Sequence, residues 1–521
     1  MGEERVERGP GDGAHQCRQC SPDEWGCSDP SKRRIVEGVD RAVISSRLQA
    51  AECSPRVLLV EIRSVGGLQR GTVRIDTGFA EEFRRREQAF VAGMPGRTGE
   101  GGGHGGVEVV RTRFDRAMLC ARVLVSFAMA PISFSDDEGF DFAVRCILSG
   151  VAYGMAEIGE VLSVAEQVEA SNVDAWFDGW TGLGARVDAI AERAERAGHA
   201  QSAAQAYLRA ANYRFAGFYY VLGTAHAAEH LAAWNAHRRS LERSLLCRAP
   251  AVERLPVTFD GVELRAWRFR GSGRPGRHPT LLIHNGLGSP LSDVFMTGAA
   301  DAMLRGWDAI VFDGPGQGHA RFVDGLGPVD DWGPVGIAVL DAALALGDVD
   351  PERVVASGIA DGGFLAAVHG AADPRIAALV CDPGVIRPID GAIGGLPEDL
   401  ATAWRAGESV DAMAERDRET KFALEKLVEQ WPGSSADDVL ARLASWDLEP
   451  LLDRIRVPTF VADPDAAAAF AGQSAELVGL LGERATLVPF TTTEGAGLDC
   501  EIGAPQLRNQ RVFDWLDETL G

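Results

Sequence analysis

From Asp136 to about Leu246, apolar residues recur at three- and four-residue spacing, as in Phe140, Val144, Ile147, Leu148 and Val151. That is the repeat of a helix buried along one face. Further helices are predicted over Glu157–Ala170, Val173–Ala197, Gln201–Leu222 and Ala225–Leu246, with breaks at Ser171-Asn172 and Gly198-His199. After Pro250 the period changes. Short apolar, β-branched runs at Val257–Phe259, Leu281–His284, Ala309–Phe312, Val354–Ser357, Ala377–Cys381, Thr459–Val461 and Thr486–Phe490 alternate with helical stretches. Such alternation predicts an α/β fold, a mostly parallel sheet flanked by helices. A helical insertion at about 386–450 interrupts it and is expected over the C-terminal strand ends, where open α/β sheets bind ligands.

Residues 1–116 carry only brief apolar runs such as Val57–Ile62, and a Gly-rich stretch at 99–106. They are expected to be an extension, either a tail without a core or sequence ahead of a true start at Met118 or Met129; the second is favoured. The predicted organisation is therefore an extension over 1–116, a helical cap over 117–248 and an α/β core over 249–521.

Composition narrows the partners. The formal net charge is −23, which argues against nucleic acid and anionic membrane surfaces, because phosphates need clustered cations. Three lysines stand against 49 arginines, so arginine abundance carries little functional meaning. Of nine cysteines, Cys17, Cys20 and Cys27 lie close together, but no second Cys or His pair follows to complete a zinc site. No basic-then-apolar leader is visible, and the run from Ala117 to Phe134 is broken by Arg122 and Pro131. A cytoplasmic protein with neither metal nor cofactor is expected.

The candidate chemistry centres on Gly358-Ile359-Ala360-Asp361-Gly362-Gly363. A predicted strand runs into a predicted helix here with the glycine spacing of a G-x-S-x-G turn, which lifts a serine oxygen above a sheet. The serine slot holds Ala360, whose methyl group can neither attack a carbonyl nor share a proton. In this kind of turn the later partners follow as acid and then histidine. The last histidine of the chain is His369, in the helix just behind the turn.

Other segments agree with that turn: Tyr153-Gly154, Gly159-Glu160-Val161-Leu162, Ala203 with Tyr207-Leu208-Arg209-Ala210, Phe312-Asp313-Gly314-Pro315-Gly316-Gln317-Gly318, Thr493-Glu494-Gly495-Ala496-Gly497 and Phe513-Asp514-Trp515-Leu516-Asp517. Together they resemble one branch of the α/β-hydrolase superfamily over about 136–521. This branch includes 2,6-dihydroxypseudooxynicotine hydrolase, the fermentation–respiration switch protein and the fungal polyketide-shortening hydrolases. The resemblance implies an α/β-hydrolase fold with a helical cap, a site between cap and core, and small-molecule substrates of ketone or β-diketone character, cleaved beside a carbonyl. It also places the three triad positions on Ala360, Ala466 (with Asp465 one place away) and Asp499.

What remains could still do chemistry. The backbone N–H groups of Asp361 and of Gly286 or Leu287 would form an oxyanion hole; alternatively the fold alone requires them. Asp499, where the resemblance expects histidine, is either a general acid or base under an apolar lid or a solvated loop aspartate. Asp361 is expected to turn its side chain away and cap its helix, and its backbone to serve catalysis. His284 is expected to shape the oxyanion pocket and is a further catalytic candidate. Asp465 and Glu494 would orient Asp499 or lie on the surface, Cys500 would be a buried structural thiol, and His319 would line the pocket or end its loop. The resulting expectation is a non-hydrolytic lyase, isomerase or cyclase acting on a polyketide-like carbonyl compound. A non-catalytic binding or scaffold protein and a non-classical hydrolase are the alternatives, and a homodimer stays open.

Overall fold

Val57–Arg63 (β1) and Arg70–Asp76 (β2) pair antiparallel, Val57 opposite Asp76 and Arg63 opposite Arg70. The apolar run at Val57–Ile62 is thus a hairpin strand. The computed structural model describes residues 57–63, 70–76, 133–272 and 276–521. Cys17, Cys20 and Cys27, the run from Ala117 to Ile132 and the expected tail character of 1–116 as a whole fall outside the described residues.

Residues 130–521 form one compact unit. It begins with five helices, α1 (Glu138–Ser149), α2 (Ile158–Ala165), α3 (Val173–Arg196), α4 (Ala200–Tyr220) and α5 (His230–Leu246). Side-chain caps set two of their starts: Asp137 accepts from the N–H of Phe140, and Asn172 from that of Ala175. The α3–α4 seam is close because small residues meet there. A Cβ on Gly217 would lie 2.8 Å from the Thr181 hydroxyl. Phe140, Trp176, Trp180, Tyr207 and Tyr213 fill the interior of this layer.

The second layer follows in chain order as β3 (Val252–Phe259), β4 (Val262–Phe269), β5 (His278–His284), α6 (Ala299–Leu304), β6 (Asp308–Asp313), α7 (Gly318–Phe322), α8 (Gly333–Leu344), β7 (Val349–Ile359), α9 (Gly362–Ala372) and β8 (Ala378–Asp382). The insertion then supplies α10 (Pro388–Gly394), α11 (Glu398–Arg405), α12 (Arg418–Val428) and α13 (Ala436–Leu443). The chain closes with β9 (Thr459–Pro464), α14 (Gln473–Leu481), β10 (Ala485–Phe490) and α15 (Pro505–Leu520). Eight strands make one sheet in the order β10-β9-β8-β7-β5-β6-β4-β3, antiparallel at β3–β4 and β4–β6 and parallel elsewhere.

β4 is the one strand of this sheet that the apolar pattern does not announce, since two arginines interrupt it. The interruption is reconciled by pairing. Arg268 is buried, its Nε donating to Asp308 at 2.7 Å and its Nη2 lying 2.8 Å from Asp348. A charge can be buried when its hydrogen bonds are supplied inside.

The insertion lies against the first helices. On α12, Arg418 donates to the Gly223 carbonyl at 2.8 Å, and the Phe422 ring stacks on Tyr220 at 5.8 Å. Buried Glu429 meets His230 of α5 and Lys426, each at 2.6 Å. The helical layer and the sheet are also tied directly. The Tyr153 hydroxyl donates to Asp301 at 2.7 Å and accepts from Asn509 on α15 at 2.9 Å, and the N–H of Gly503 donates to Ser149 at 2.7 Å. No described helix is long and apolar enough to cross a membrane. Removing the hydroxyl in Tyr153→Phe takes one donor from Asp301, which keeps the Asn509 amide at 2.9 Å. Urea unfolding should show a loss of about 0.5–1.5 kcal/mol, and an unchanged midpoint would contradict this link between helical layer and sheet.

Candidate active site at the turn between β7 and α9

The turn is geometrically intact. Ala360 adopts φ 55°, a left-handed conformation that L residues enter at a cost, and its N–H donates to the Asp382 carbonyl at 2.8 Å. A Cβ on Gly358 would overlap the Gly362 carbonyl, and one on Gly362 would overlap that of His284. Close backbone packing therefore demands glycine at both positions. α9 begins at once, at Gly362.

Asp361 does not cap its helix; no side-chain cap bond exists there. Its carboxyl turns instead toward the loop after β5 and accepts from the Leu287 N–H at 3.3 and 3.2 Å through its two oxygens. It also lies so close to Gly286 that a Cβ there would overlap Oδ1. The same added Cβ would stand 3.5 Å from the Ala360 methyl. The expected oxyanion donor Leu287 is thus already engaged by a carboxyl group of the protein. Burial raises that carboxyl to about 6, partly offset by the Leu287 N–H and by Asp361's own N–H.

His284 faces the interior and not this pocket. Trp332 Nε1 donates to His284 Nδ1 at 3.0 Å, so the proton of His284 sits on Nε2, 3.1 Å from His369 Nδ1. Burial, followed by the neighbouring His369, holds His284 well below its ordinary value, and burial lowers His369 to about 4. The pair is a neutral core network behind the sheet. His319 is likewise buried and accepts from Arg265 at 3.2 Å.

Asp499 begins a short turn after Gly497 and is half-buried. Burial raises its carboxyl, while the N–H groups of Ala468 and Ala469 oppose the rise. It therefore leans on the loop after β9, the same loop that carries Ala466. Asp465 and Glu494 do not orient it. Exposed Asp465 accepts from Thr492 at 2.8 and 2.6 Å, and Glu494 pairs with Arg511 at 2.6 Å while bonding Thr491. Cys500, at φ 54°, places its thiol 4.0 Å from the Asp382 carbonyl, and burial raises the thiol well above its ordinary range.

One further carboxyl belongs to this region. Asp293, in the short helical turn Leu291–Phe295, is raised by burial to about 7, with the Ser292 hydroxyl opposing. Its charge and that of Asp499 both act on Cys146 of α1, which places the three where the helical layer meets the sheet. The sequence signal was a single acid inside an otherwise apolar turn, Leu291-Ser292-Asp293-Val294-Phe295. Two cavities, of about 550 and 440 Å³, open elsewhere: one beside Trp404 and Asp437, the other beside Trp446 and Pro334. Neither is lined by Ala360, Asp361 or Asp499.

No protein-family model matches the chain. It is similar to the hydrolase LUC6 of a Fusarium species, 26% identical over 405 residues, covering 73% of this chain and 96% of that protein. It is also similar to the 20-hydroxy-prefusarin hydrolase FUS2 of Gibberella moniliformis, 28% identical over 407 residues, with the same coverage. Among solved structures, the 2,6-dihydroxy-pseudo-oxynicotine hydrolase superposes with a TM-score of 0.57 at 20% identity, covering 72% of this chain and 95% of that one.

If the turn stores left-handed strain, Ala360→Gly should stabilise the protein by about 1 kcal/mol. A destabilisation in chemical unfolding would show that the turn is relaxed with alanine.

Proposed function

This chain is a member of the α/β-hydrolase superfamily, and from that premise we propose that it works on a small carbonyl compound by moving protons, as a lyase, isomerase or cyclase of specialised metabolism. The carrying observation is the Asp361 carboxyl hydrogen-bonded to Leu287 beside a methyl group at the turn. A serine hydrolase needs those donors free for a tetrahedral oxyanion and needs a hydroxyl beside them. Here Ala360 supplies no hydroxyl, and no histidine follows His369.

The residues instead suit general acid–base work. Below about pH 6 Asp361 holds its proton and can donate it to a substrate carbonyl oxygen. Asp499, ionised, accepts a proton from the carbon beside that carbonyl; the electron pair moves into the new C=C bond, and an enol results. Returning the proton to a different carbon isomerises the substrate, whereas loss of a β-hydroxyl as water makes the reaction a dehydration. The hydrolysis named for the relatives is then replaced by enol chemistry on the same scaffold.

A second reading, a binding protein without turnover, is supported by the cavity of about 440 Å³ beside Trp446 and Pro334, which could hold a small molecule away from Asp361 and Asp499. Exchange of ketone α-protons for deuterium, followed by NMR over a panel of aryl ketones, separates the readings. Wild-type protein should accelerate exchange. Its kcat/KM should fall about tenfold per pH unit above about 6, as Asp361 loses the proton it donates. Asp499→Asn should lower it by roughly 100-fold or more. Exchange indifferent to Asp499→Asn removes the proposed base, and saturable binding without exchange favours the second reading.

Ala360→Ser provides the complementary check. It should produce no acyl-enzyme burst with p-nitrophenyl acetate, because no imidazole is present to take the serine proton. A burst would restore the hydrolase reading.

A further inference from the structure

Glu501 follows Asp499 and Cys500 on the loop that carries the proposed base. It is fully buried and, like Cys500, left-handed, with φ 50°. Neither of its carboxyl oxygens receives a hydrogen bond from any N–H or hydroxyl of the described residues. Asp382, at the end of β8, is equally buried. Its Oδ2 accepts from Arg508 Nε at 2.8 Å, while its Oδ1 has no donor. Buried oxygens without donors are costly, and native proteins rarely keep three of them together. A proton on one of the two carboxyls satisfies two of the three, since a carboxylic O–H can donate to the other group; one Glu501 oxygen keeps no donor among the described residues.

We propose that Glu501 and Asp382 share one proton, and that this shared proton makes Glu501 a positioning residue for Asp499. The proposal rests on the reading of Asp499 as the base. Arg508 is the guanidinium hydrogen-bonded to the pair, its Nη2 without an acceptor among the described residues, while Arg511 is engaged by Glu494. Arg508 also donates to the Thr297 carbonyl and to Asn509, each at 2.9 Å. The charged groups facing Glu501 are Asp382 of β8 and Arg508 and Arg511 of α15, and on its own loop Asp499 lies close by with Cys500 between them. Burial first, then the charge of Asp382, holds the Glu501 carboxyl well above its ordinary range.

Asp382 gives the shared proton its reach. Its backbone carbonyl accepts from Ala360 at the turn, its side chain holds Arg508, and the Cys500 thiol lies against the same carbonyl. Linking Glu501 to Asp382 therefore fixes the loop bearing Asp499 to the turn bearing Asp361. Ionising Glu501 would set two carboxylates against each other beside one guanidinium and drive the loop away.

The folded state keeps this proton to higher pH than the unfolded chain does, so stability is complete below about 4.3 and declines as pH rises toward the folded value. Glu501→Gln keeps a neutral donor for Asp382 without a titrating proton. Its melting temperature should therefore fall less between pH 5 and 8 than that of wild type.

The direct test is the infrared difference spectrum of wild-type minus Glu501→Gln full-length protein at pH 7. A protonated carboxylic C=O band that shifts in D2O is expected; its absence, or equal pH slopes of melting for the two proteins, overturns the proposal. In the ketone exchange assay, Glu501→Gln should keep at least half of the activity, while Glu501→Leu should lose tenfold or more and shift the acidic limb of the pH profile. If the band is present and Glu501→Leu leaves that limb unmoved, the positioning role is overturned. If the band is present and Asp499→Asn is without effect, the shared proton stands and the reading of Asp499 fails.

Discussion

Reversing chain direction from β7 into α9 leaves almost no room between the two backbones, and that crowding governs the site. It excludes a side chain at Gly358, goes with a left-handed Ala360 and starts α9 at Gly362, where the His284 carbonyl of β5 in turn excludes a side chain. The residue after the turn must then project toward the β5 loop, where the donors on offer are backbone N–H groups. With a carboxyl at that position, the Leu287 N–H is engaged from within the protein by a group that burial raises to about 6.

The elements were largely legible because their periods are clean. The helices α3 and α4 follow the three- and four-residue apolar repeat, and the inner parallel strands such as β5 and β6 stand out as short runs buried on both faces. β4 hides because Arg265 and Arg268 break its run, and what allows them there is a set of partners forty or more residues away or on another element. Spacing along the chain carries no information about such partners.

The site was legible in its positions and not in its directions. Ala360 and Asp361 follow the end of β7 at Ile359 and Leu287 lies just past the end of β5 at His284, whereas Asp499 stands well beyond Phe490, the last residue of β10. Sequence does not say toward which neighbour a carboxyl turns, so Asp361 was expected to cap a helix that it leaves uncapped. His284 likewise sits at the right strand end but points into the layer held by Trp332 and His369. Arg508 gave a fainter signal: with Val512 and Leu516 it continues one helical stripe, and a cation on an apolar stripe implies a buried acid.

The ties between the first helices and α15 have a consequence for synthesis. Tyr153 bonds a residue 356 positions later, and Ser149 one 354 positions later. Ribosomal emergence is vectorial, so the helical layer leaves the ribosome long before the segment that fastens it. Until α15 appears, the apolar underside of those helices, including Met155, Leu208 and Leu245, lacks part of its final neighbours. The bonds to Asp301 and to the insertion can form earlier, but docking is completed only in the final stretch of translation, and a chain released a few dozen residues early would lack the part of that cover that α15 supplies.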